Sequence, residues 1–368
     1  MTQPVRRIVV TGARGFIGRN LTVRLGELPG FSIVPFVRGD DPATLPALVA
    51  GADAVIHLAG ENRPADESAF AEVNTGLTVK LCNAIRASGR RVPLILASST
   101  QAGRDNPYGR SKLAAEQAVA ALGEEMGNPV AIFRLPGVFG KWCRPDYNSV
   151  VATFCHNIAR GLPIRIHDPA AKLRLVYVDD VVSALISALD EPAAVVQPEY
   201  EITLGELAAQ IEAFEASRVS LLTERVGAGL ARALYATYVS YLPTERFSYP
   251  IPQHADPRGV FVEMLKTPDC GQFSFLTAHP GVTRGGHYHH TKTEKFLVIR
   301  GEALFRFRHL VTDERVELRT SGATPQVVET IPGWSHDITN VGEDEMFVML
   351  WANEIFDRAR PDTISSKV

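Results

Sequence analysis

The sequence is short of cysteine. Its four thiols, Cys82, Cys143, Cys155 and Cys270, form no CxxC pair, and a reducing compartment leaves them free, packed as small buried hydrophobes. Charge of one sign is equally scarce: 38 Lys and Arg face 41 Asp and Glu, a formal net charge of -3. No overall field draws the chain to DNA, RNA or an anionic membrane, so small-molecule partners are expected. No apolar run approaches the length that spans a bilayer, and MTQPVRRIVVTG runs from basic residues into a short strand without a signal-peptide core. The expectation is a cytoplasmic protein with neither nucleic-acid nor membrane partners. Internal repeats and low-complexity tracts are also absent.

What is present is an ordinary globular composition, 45% hydrophobic and 21% charged, over 368 residues. That length exceeds the size at which one hydrophobic core stops growing, so two domains are expected. From residue 5, short β-branched runs (RRIVVTG, SIVPFVR, ADAVIHLAG, PLILASS, VAIFRLPGVFG) alternate with amphipathic helical stretches. That alternation predicts βαβ units and a doubly wound, Rossmann-like parallel sheet. The signal turns helical from about residue 192 to 242, and LPTERFSYPIPQHADPRG then breaks the periodicity with prolines. Beyond it, GQFSFLTA, EKFLVIRG, EALFRFRHL, QVVETIPG and MFVMLWA read as strands of an all-β barrel or sandwich. The reading is an α/β domain over 1–243 followed by a β domain over 244–368.

TGARGFIG places Gly12, Gly15 and Gly18 directly after a strand and at the opening of a helix. Glycines there permit a tight turn and let a pyrophosphate approach free N–H groups at the helix N-terminus. Near the end of the second strand, where NAD-specific sites carry an acidic residue, stands Arg38, with Arg14 inside the loop. Two guanidinium groups suit a 2'-phosphate and favour NADPH, although Asp40 and Asp41 follow closely. In NPYGRSKL, Asn106 can cap a helix with Pro107 at its first position, which puts Tyr108 and Lys112 on one face. A nearby ammonium lowers a phenol's pKa and makes it a proton donor to a ketone, and Ser99 can hydrogen-bond the same oxygen.

TGARGFIG, VIHLAG, SST and YGRSK together resemble the extended short-chain dehydrogenases/reductases that act on nucleotide sugars, over about the first 240 residues. The resemblance implies Ser99, Tyr108 and Lys112 as the catalytic set, with Ser98 or Thr100 as alternatives to Ser99. It also implies Phe16, Ile17, His57 and Ala59 as cofactor contacts beside Gly12, Arg14, Gly15, Gly18 and Arg38. FGKWCRPDYNSV lies where that family binds substrate, making Arg144, Tyr147 and Asn148 the candidates, with packing by Trp142 and Tyr147 as the alternative. Arg174, in KLRLVYVDD, stands one residue out of step with the arginine that holds the diphosphate in that family.

The densest histidine cluster is RGGHYHHTKTEKFLVIRG. His287 and His289 are two apart and share a face of an extended strand; Glu294 requires a turn through HTKT, and IPGWSH supplies His336. Imidazoles plus a carboxylate suit Zn²⁺, and also Ni²⁺, Fe²⁺ or Mn²⁺. HxHx4E followed by a later PG…H resembles the cupin metal motif. DPRGVF, RGGHYH, EKFLVIRG and IPGWSH are similar to stretches of the cupin-like deoxysugar 3,5-epimerases, whose base matches His287; with His287 read as a ligand, Lys292, Lys295 and Tyr288 are the other base candidates.

Reductase then cupin, with PDT near the end, resembles the CapF-type capsular polysaccharide enzymes over nearly the whole chain. That implies a bifunctional enzyme on a UDP-amino-sugar, UDP-2-acetamido-2,6-dideoxy-4-hexulose. The cupin would epimerise C3 and the first domain would reduce the C4 ketone with NADPH, towards UDP-N-acetyl-L-fucosamine. A homodimer is expected, since cupins commonly pair through their sheets. Two alternatives remain at this point: an NAD-dependent dehydratase or epimerase with a structural cupin that dimerises, and a nucleotide sensor without turnover.

Overall fold

The computed structural model describes residues 5–252, 254–256, 259–261, 265, 272–354 and 359–368. Cys270, and Pro257 and Arg258 of DPRGVF, lie outside the described residues.

The chain begins with β1 (Arg6–Thr11), α1 (Phe16–Glu27), β2 (Phe31–Phe36), α2 (Leu45–Ala50), β3 (Ala54–His57), α3 (Leu77–Ser88), β4 (Leu94–Ser99), α4 (Pro107–Met126) and β5 (Val130–Leu135). These strands form a parallel sheet in the order β2-β1-β3-β4-β5. The order reverses across β1, so the crevice at the carboxyl ends of β1 and β3 is the switch point where open α/β sheets bind ligands. Val9, Val55, Leu94 and Leu96 from the sheet pack with Leu81, Ile85, Val119 and Leu122 from the helices, all at most 2% exposed. The β5 run is shorter than the sequence suggests. Pro136 has no N–H to give a ladder, and past it the chain leaves for a second, three-stranded sheet.

There follow β6 (Gly137–Phe139), α5 (Val150–Ile158), β7 (Lys172–Tyr177), α6 (Val178–Ser187), β8 (Glu199–Thr203), α7 (Leu204–Ser220) and α8 (Gly229–Val239). VYVDD is therefore only half strand: its VDD opens α6. A capping box, with Thr203 and Glu206 each bonding the other's backbone, starts α7 where TLGEL predicts.

The β region carries β9 (Ser248–Pro250), β10 (His254–Asp256), β11 (Gly259–Phe261), β12 (Gln272–Ala278), β13 (Thr283–Tyr288), β14 (Glu294–Arg300), β15 (Glu302–His309), β16 (Arg315–Ser321), β17 (Gln326–Glu329), β18 (Trp334–Asn340), β19 (Met346–Ala352) and β20 (Ile364–Ser365). Two five-stranded sheets, β12-β19-β14-β17-β9 and β16-β15-β18-β13-β20, make up its body. The fold class is an α/β parallel sheet followed by an antiparallel, cupin-like β domain.

The compact units divide differently from the 243/244 boundary read from the sequence. One unit holds residues up to Ser149 together with Leu173–Glu201; the other holds Val150–Lys172 and everything from Ile202. The reason lies in α7 and α8, which carry buried polar groups for the β sheets. Arg218 of α7 and Lys295 of β14 both pair with Glu329 of β17, Lys295 reaches the Tyr249 hydroxyl at 3.1 Å, and the Arg218 guanidinium lies 4.3 Å from the Tyr249 ring centroid. Glu329→Ala would leave two buried cations without a counter-charge. The expected cost is about 3–5 kcal/mol, read as a fall in the denaturation midpoint of the C-terminal unit.

Among the described residues, no helix is long and apolar enough to cross a membrane. Cys82, Cys143 and Cys155 are free thiols, and burial pushes the Cys82 thiol up to about 11.

Candidate functional site

The first site is built at the carboxyl ends of β1 and β3. Gly12 adopts φ +68°, and a Cβ there would stand 2.7 Å from the Ala59 nitrogen; a Cβ on Gly18 would stand 2.2 Å from the Gly12 oxygen. Strand end, loop and helix approach too closely for any side chain. Gly15, by contrast, is exposed, caps α1 without a side-chain hydrogen bond, and is followed by a first turn free of acidic residues. The N–H groups there are open to an anion. Arg14 is exposed beside them, Phe16 and Ile17 are half-buried on the first turn, and Ala59 is half-buried at the end of β3. These residues fit a dinucleotide diphosphate.

His57 does not share that role. It is completely buried, with Nδ1 2.5 Å from the Thr11 hydroxyl and Nε2 2.8 Å from the Thr78 hydroxyl, and burial with the nearby Lys112 charge lowers its pKa to about 3. A neutral ring with both nitrogens engaged ties β1 and β3 to α3 and offers no atom to a ligand. Asp40 and Asp41 are likewise occupied, accepting the N–H groups of Val37 (2.7 Å) and Ala43 (2.9 Å). Arg38, its side chain 84% exposed, is left as the charge at the end of β2 and pairs with Glu61.

Ser99 ends β4, and Tyr108 and Lys112 stand one turn apart on α4. Asn106 caps that helix, its Oδ1 accepting the Gly109 N–H at 2.7 Å, with Pro107 in the first turn as the sequence predicts. The Ser99 hydroxyl is close enough to Tyr108 to act on its phenol. The Lys112 Nζ lies 6.0 Å from the Tyr108 ring centroid and donates to the Ala97 carbonyl at 3.3 Å. Of the alternatives to Ser99, Ser98 is engaged elsewhere, its hydroxyl 2.5 Å from Glu116, which is clasped by Arg134.

The expected depression of the phenol's pKa is not found. Burial raises Tyr108, and the nearby Ser99 hydroxyl offsets it only in part, whereas burial brings Lys112 down to about 8. A phenol kept protonated is the form that donates to a ketone, and the ammonium one turn away stabilises the phenolate left behind.

Two residues that the sequence reading did not single out complete this site. Asn74 sits in a π-helical stretch, Phe70–Gly76, of the kind often found at functional sites. Its amide accepts the Glu61 N–H at 2.7 Å and donates to the Ser111 hydroxyl at 3.0 Å. Glu61 in turn takes the Tyr147 hydroxyl at 2.9 Å and the Arg38 guanidinium, joining one expected substrate residue to one expected cofactor residue. No local motif marks either of them. Of the other substrate candidates, Arg144 lies with its guanidinium 5.2 Å from the Tyr147 ring centroid, and Asn148 is exposed. Their loop is strained: Trp142 (φ 67°) and Asp146 (φ 52°) are left-handed without being glycine. Arg174 pairs with Glu199 at 2.5 Å.

The second site lies within the β sheets. A bulge in β13, where Gly285 (φ +102°) and Gly286 (φ +75°) shift the register, re-aims His287 against its cross-strand partner His336. Their ring centroids are 4.8 Å apart. His289 follows the end of β13 and Glu294 opens β14, so that one ligand atom from each of His287, His289, Glu294 and His336 lies within 4.8 Å of the others. The His289 Nε2 is 3.2 Å from Glu294 Oε2; the His336 Nε2, at 3.6 Å, is too far from it for a hydrogen bond and is buried without a partner. Three neutral-capable imidazoles and a carboxylate, with a buried donor left open, fit a divalent cation such as Zn²⁺.

Electrostatics agree with that fit. Burial, then the facing His336 and His289, lower His287 to about 3, so its ring is neutral. Burial pushes the Glu294 carboxyl up, and the imidazoles more than reverse it, so that it stays ionised. His290 stacks edge-on to Tyr288 at 5.6 Å rather than joining the cluster.

Lys295 is corrected as a base candidate: fully buried against Glu329 on the opposite face of β14, it is held protonated above the usual lysine range. Tyr288 is buried at 4% exposure. Lys292 does reach the cluster, its Nζ 2.7 Å from Glu294 Oε1.

Comparison with known proteins follows the same two halves. Residues 8–205 match the NAD dependent epimerase/dehydratase family, and residues 254–364 match the polysaccharide biosynthesis C-terminal domain. A UDP-2-acetamido-2,6-beta-L-arabino-hexul-4-ose reductase from Pseudomonas aeruginosa is 56% identical over 98% of this chain and 99% of its own length. The crystal structure of the capsular polysaccharide assembling protein CapF from Staphylococcus aureus superposes with a TM-score of 0.66 at 39% identity, covering 98% of this chain and all of that one. RMD from Pseudomonas aeruginosa, solved in complex with NADPH, matches 57% of this chain and 82% of its own at 26% identity and a TM-score of 0.51. With both halves matched and full-length similarity to both proteins, the chain belongs to the CapF-type family of polysaccharide biosynthesis proteins, an epimerase/dehydratase-family domain followed by a polysaccharide biosynthesis C-terminal domain.

Proposed function

We propose that this protein converts UDP-2-acetamido-2,6-dideoxy-4-hexulose in two steps, epimerisation at C3 in the β domain and then NADPH-dependent reduction at C4 in the α/β domain. The product is UDP-2-acetamido-2,6-dideoxy-L-talose, on the path to UDP-N-acetyl-L-fucosamine for capsule or O-antigen. The observation that carries the reading is the presence in one chain of a Ser99/Tyr108/Lys112 set behind a dinucleotide loop and of a three-histidine, one-glutamate cluster. The name of the Pseudomonas relative supports the substrate and the reduction.

The order follows from carbonyl chemistry. A proton on C3 is acidic only while C4 is a ketone, because the carbanion spreads onto that oxygen as an enolate. Epimerisation therefore precedes reduction, and reduction locks the new configuration. His287, His289, Glu294 and His336 would hold the divalent cation, which when bound supplies Lewis acidity beside the sugar carbonyl. Lys292, at the edge of the cluster, is the chain's candidate for carrying the C3 proton.

In the α/β domain, bound NADPH supplies the hydride for C4. Ser99 and Tyr108 hydrogen-bond the ketone oxygen, Tyr108 gives it the proton, and the Lys112 ammonium stabilises the phenolate. Glu61 orients Tyr147 at the substrate loop.

Arg38 is assigned to the 2'-phosphate. Arg38→Ala is expected to raise the KM for NADPH about 10-fold or more, the worth of a charge-assisted hydrogen bond, with little change for NADH. Steady-state kinetics with both cofactors check this, and an equal effect on the two would remove Arg38 from the phosphate site.

A further inference from the structure

The four amides between His289 and β14, those of residues 290–293, have no sheet ladder to join, because β13 stops at Tyr288 and β14 starts at Glu294. All four N–H groups, and that of Glu294, are instead accepted by side chains. Asp362 takes three of them with one carboxylate: His290 at 2.9 Å, Thr291 at 2.7 Å and Lys292 at 2.7 Å. Its Oδ2 also accepts the Thr291 hydroxyl at 3.0 Å. Asn353 accepts the Thr293 N–H and Thr330 the Glu294 N–H, each at 2.9 Å. The main-chain oxygen of Asp362 stands 2.5 Å from His289 Nδ1, which leaves Nε2 of that ring facing Glu294.

We propose that Asp362 is a positioning residue of the metal site, whose carboxylate gathers three consecutive N–H groups into the turn that brings His289 and Glu294 onto one cation. Successive N–H groups around one anion form a rigid nest, and a carbonyl on the far nitrogen of a ligating imidazole fixes its tautomer and orientation. The residue comes from 70 or more positions away in the chain, held alongside by the pairing of β20 with β13 at His287↔Ser365 and Tyr288↔Ile364. The turn is thus held by the chain's own side chains.

This inference rests on reading the cluster as a metal site. The test strips the full-length protein of metal and titrates Zn²⁺ against a chromophoric chelator, for the unaltered chain, Asp362→Ala and Asp362→Asn. Expected is one Zn²⁺ per unaltered chain and an affinity about 10- to 100-fold weaker in Asp362→Ala, the effect of losing an outer partner of a ligand, with Asp362→Asn in between and the circular dichroism unchanged. Binding as tight in both variants as in the unaltered chain overturns the proposal. Failure of the unaltered chain to bind Zn²⁺ removes the metal reading instead. Amide hydrogen exchange on the unaltered, metal-free chain decides the matter even where a variant does not fold: protected amides at 290–292 agree with a preformed turn, and free exchange there contradicts it.

Discussion

Replacing Tyr108 by Phe is expected to abolish C4 reduction while leaving C3 exchange in place. The phenol is the only proton donor assigned to the ketone oxygen, and removing a positioned general acid costs about 10²–10⁴-fold in rate. Burial keeps Tyr108 protonated, and its ring packs much as Phe would, beside Phe70 at 5.6 Å between centroids. NADPH titration should therefore show cofactor affinity close to that of the unaltered chain. Loss of reduction together with loss of C3 exchange would sink the division of labour between the two domains.

The second large effect is expected from His287→Ala. This residue is aimed by the β13 bulge and faces His336 and His289, so its loss opens the cluster without touching the first domain's chemistry. Lewis-acid stabilisation is worth several kcal/mol, so a loss of about 10²-fold or more in C3 exchange is expected, with Zn²⁺ content falling in parallel. Exchange that survives in a folded, metal-free variant would leave the cation a structural part only.

The elements that could be read from the sequence are those whose cause is local. Glycines at a strand-to-helix turn, Asn106 and Pro107 opening α4, and the HxHx4E spacing each carry their own physical reason, and each stands in the structure where that reason places it. What escaped depends on distant partners. His57 resembles a cofactor contact in sequence, yet Thr11 and Thr78 claim both its nitrogens. Lys295 reads as a base candidate in sequence, yet Glu329 and Tyr249 hold its ammonium. The helices α7 and α8 read as the tail of the first domain, yet Arg218 of α7 pairs with Glu329 and Arg232 of α8 with Glu354. Glu61 and Asn74 gain meaning from contacts to Tyr147 and Ser111, which no spacing rule anticipates.

The central claim is that one chain carries both activities in a fixed order. NMR of the 4-keto UDP-amino-sugar with this protein in D₂O, before and after NADPH is added, tests it most directly. The account predicts deuterium entering at C3 without cofactor, then NADPH consumption with the label retained in the reduced sugar. NADPH oxidised without any deuterium at C3 would contradict it, leaving a reductase whose histidine cluster takes no part in the chemistry.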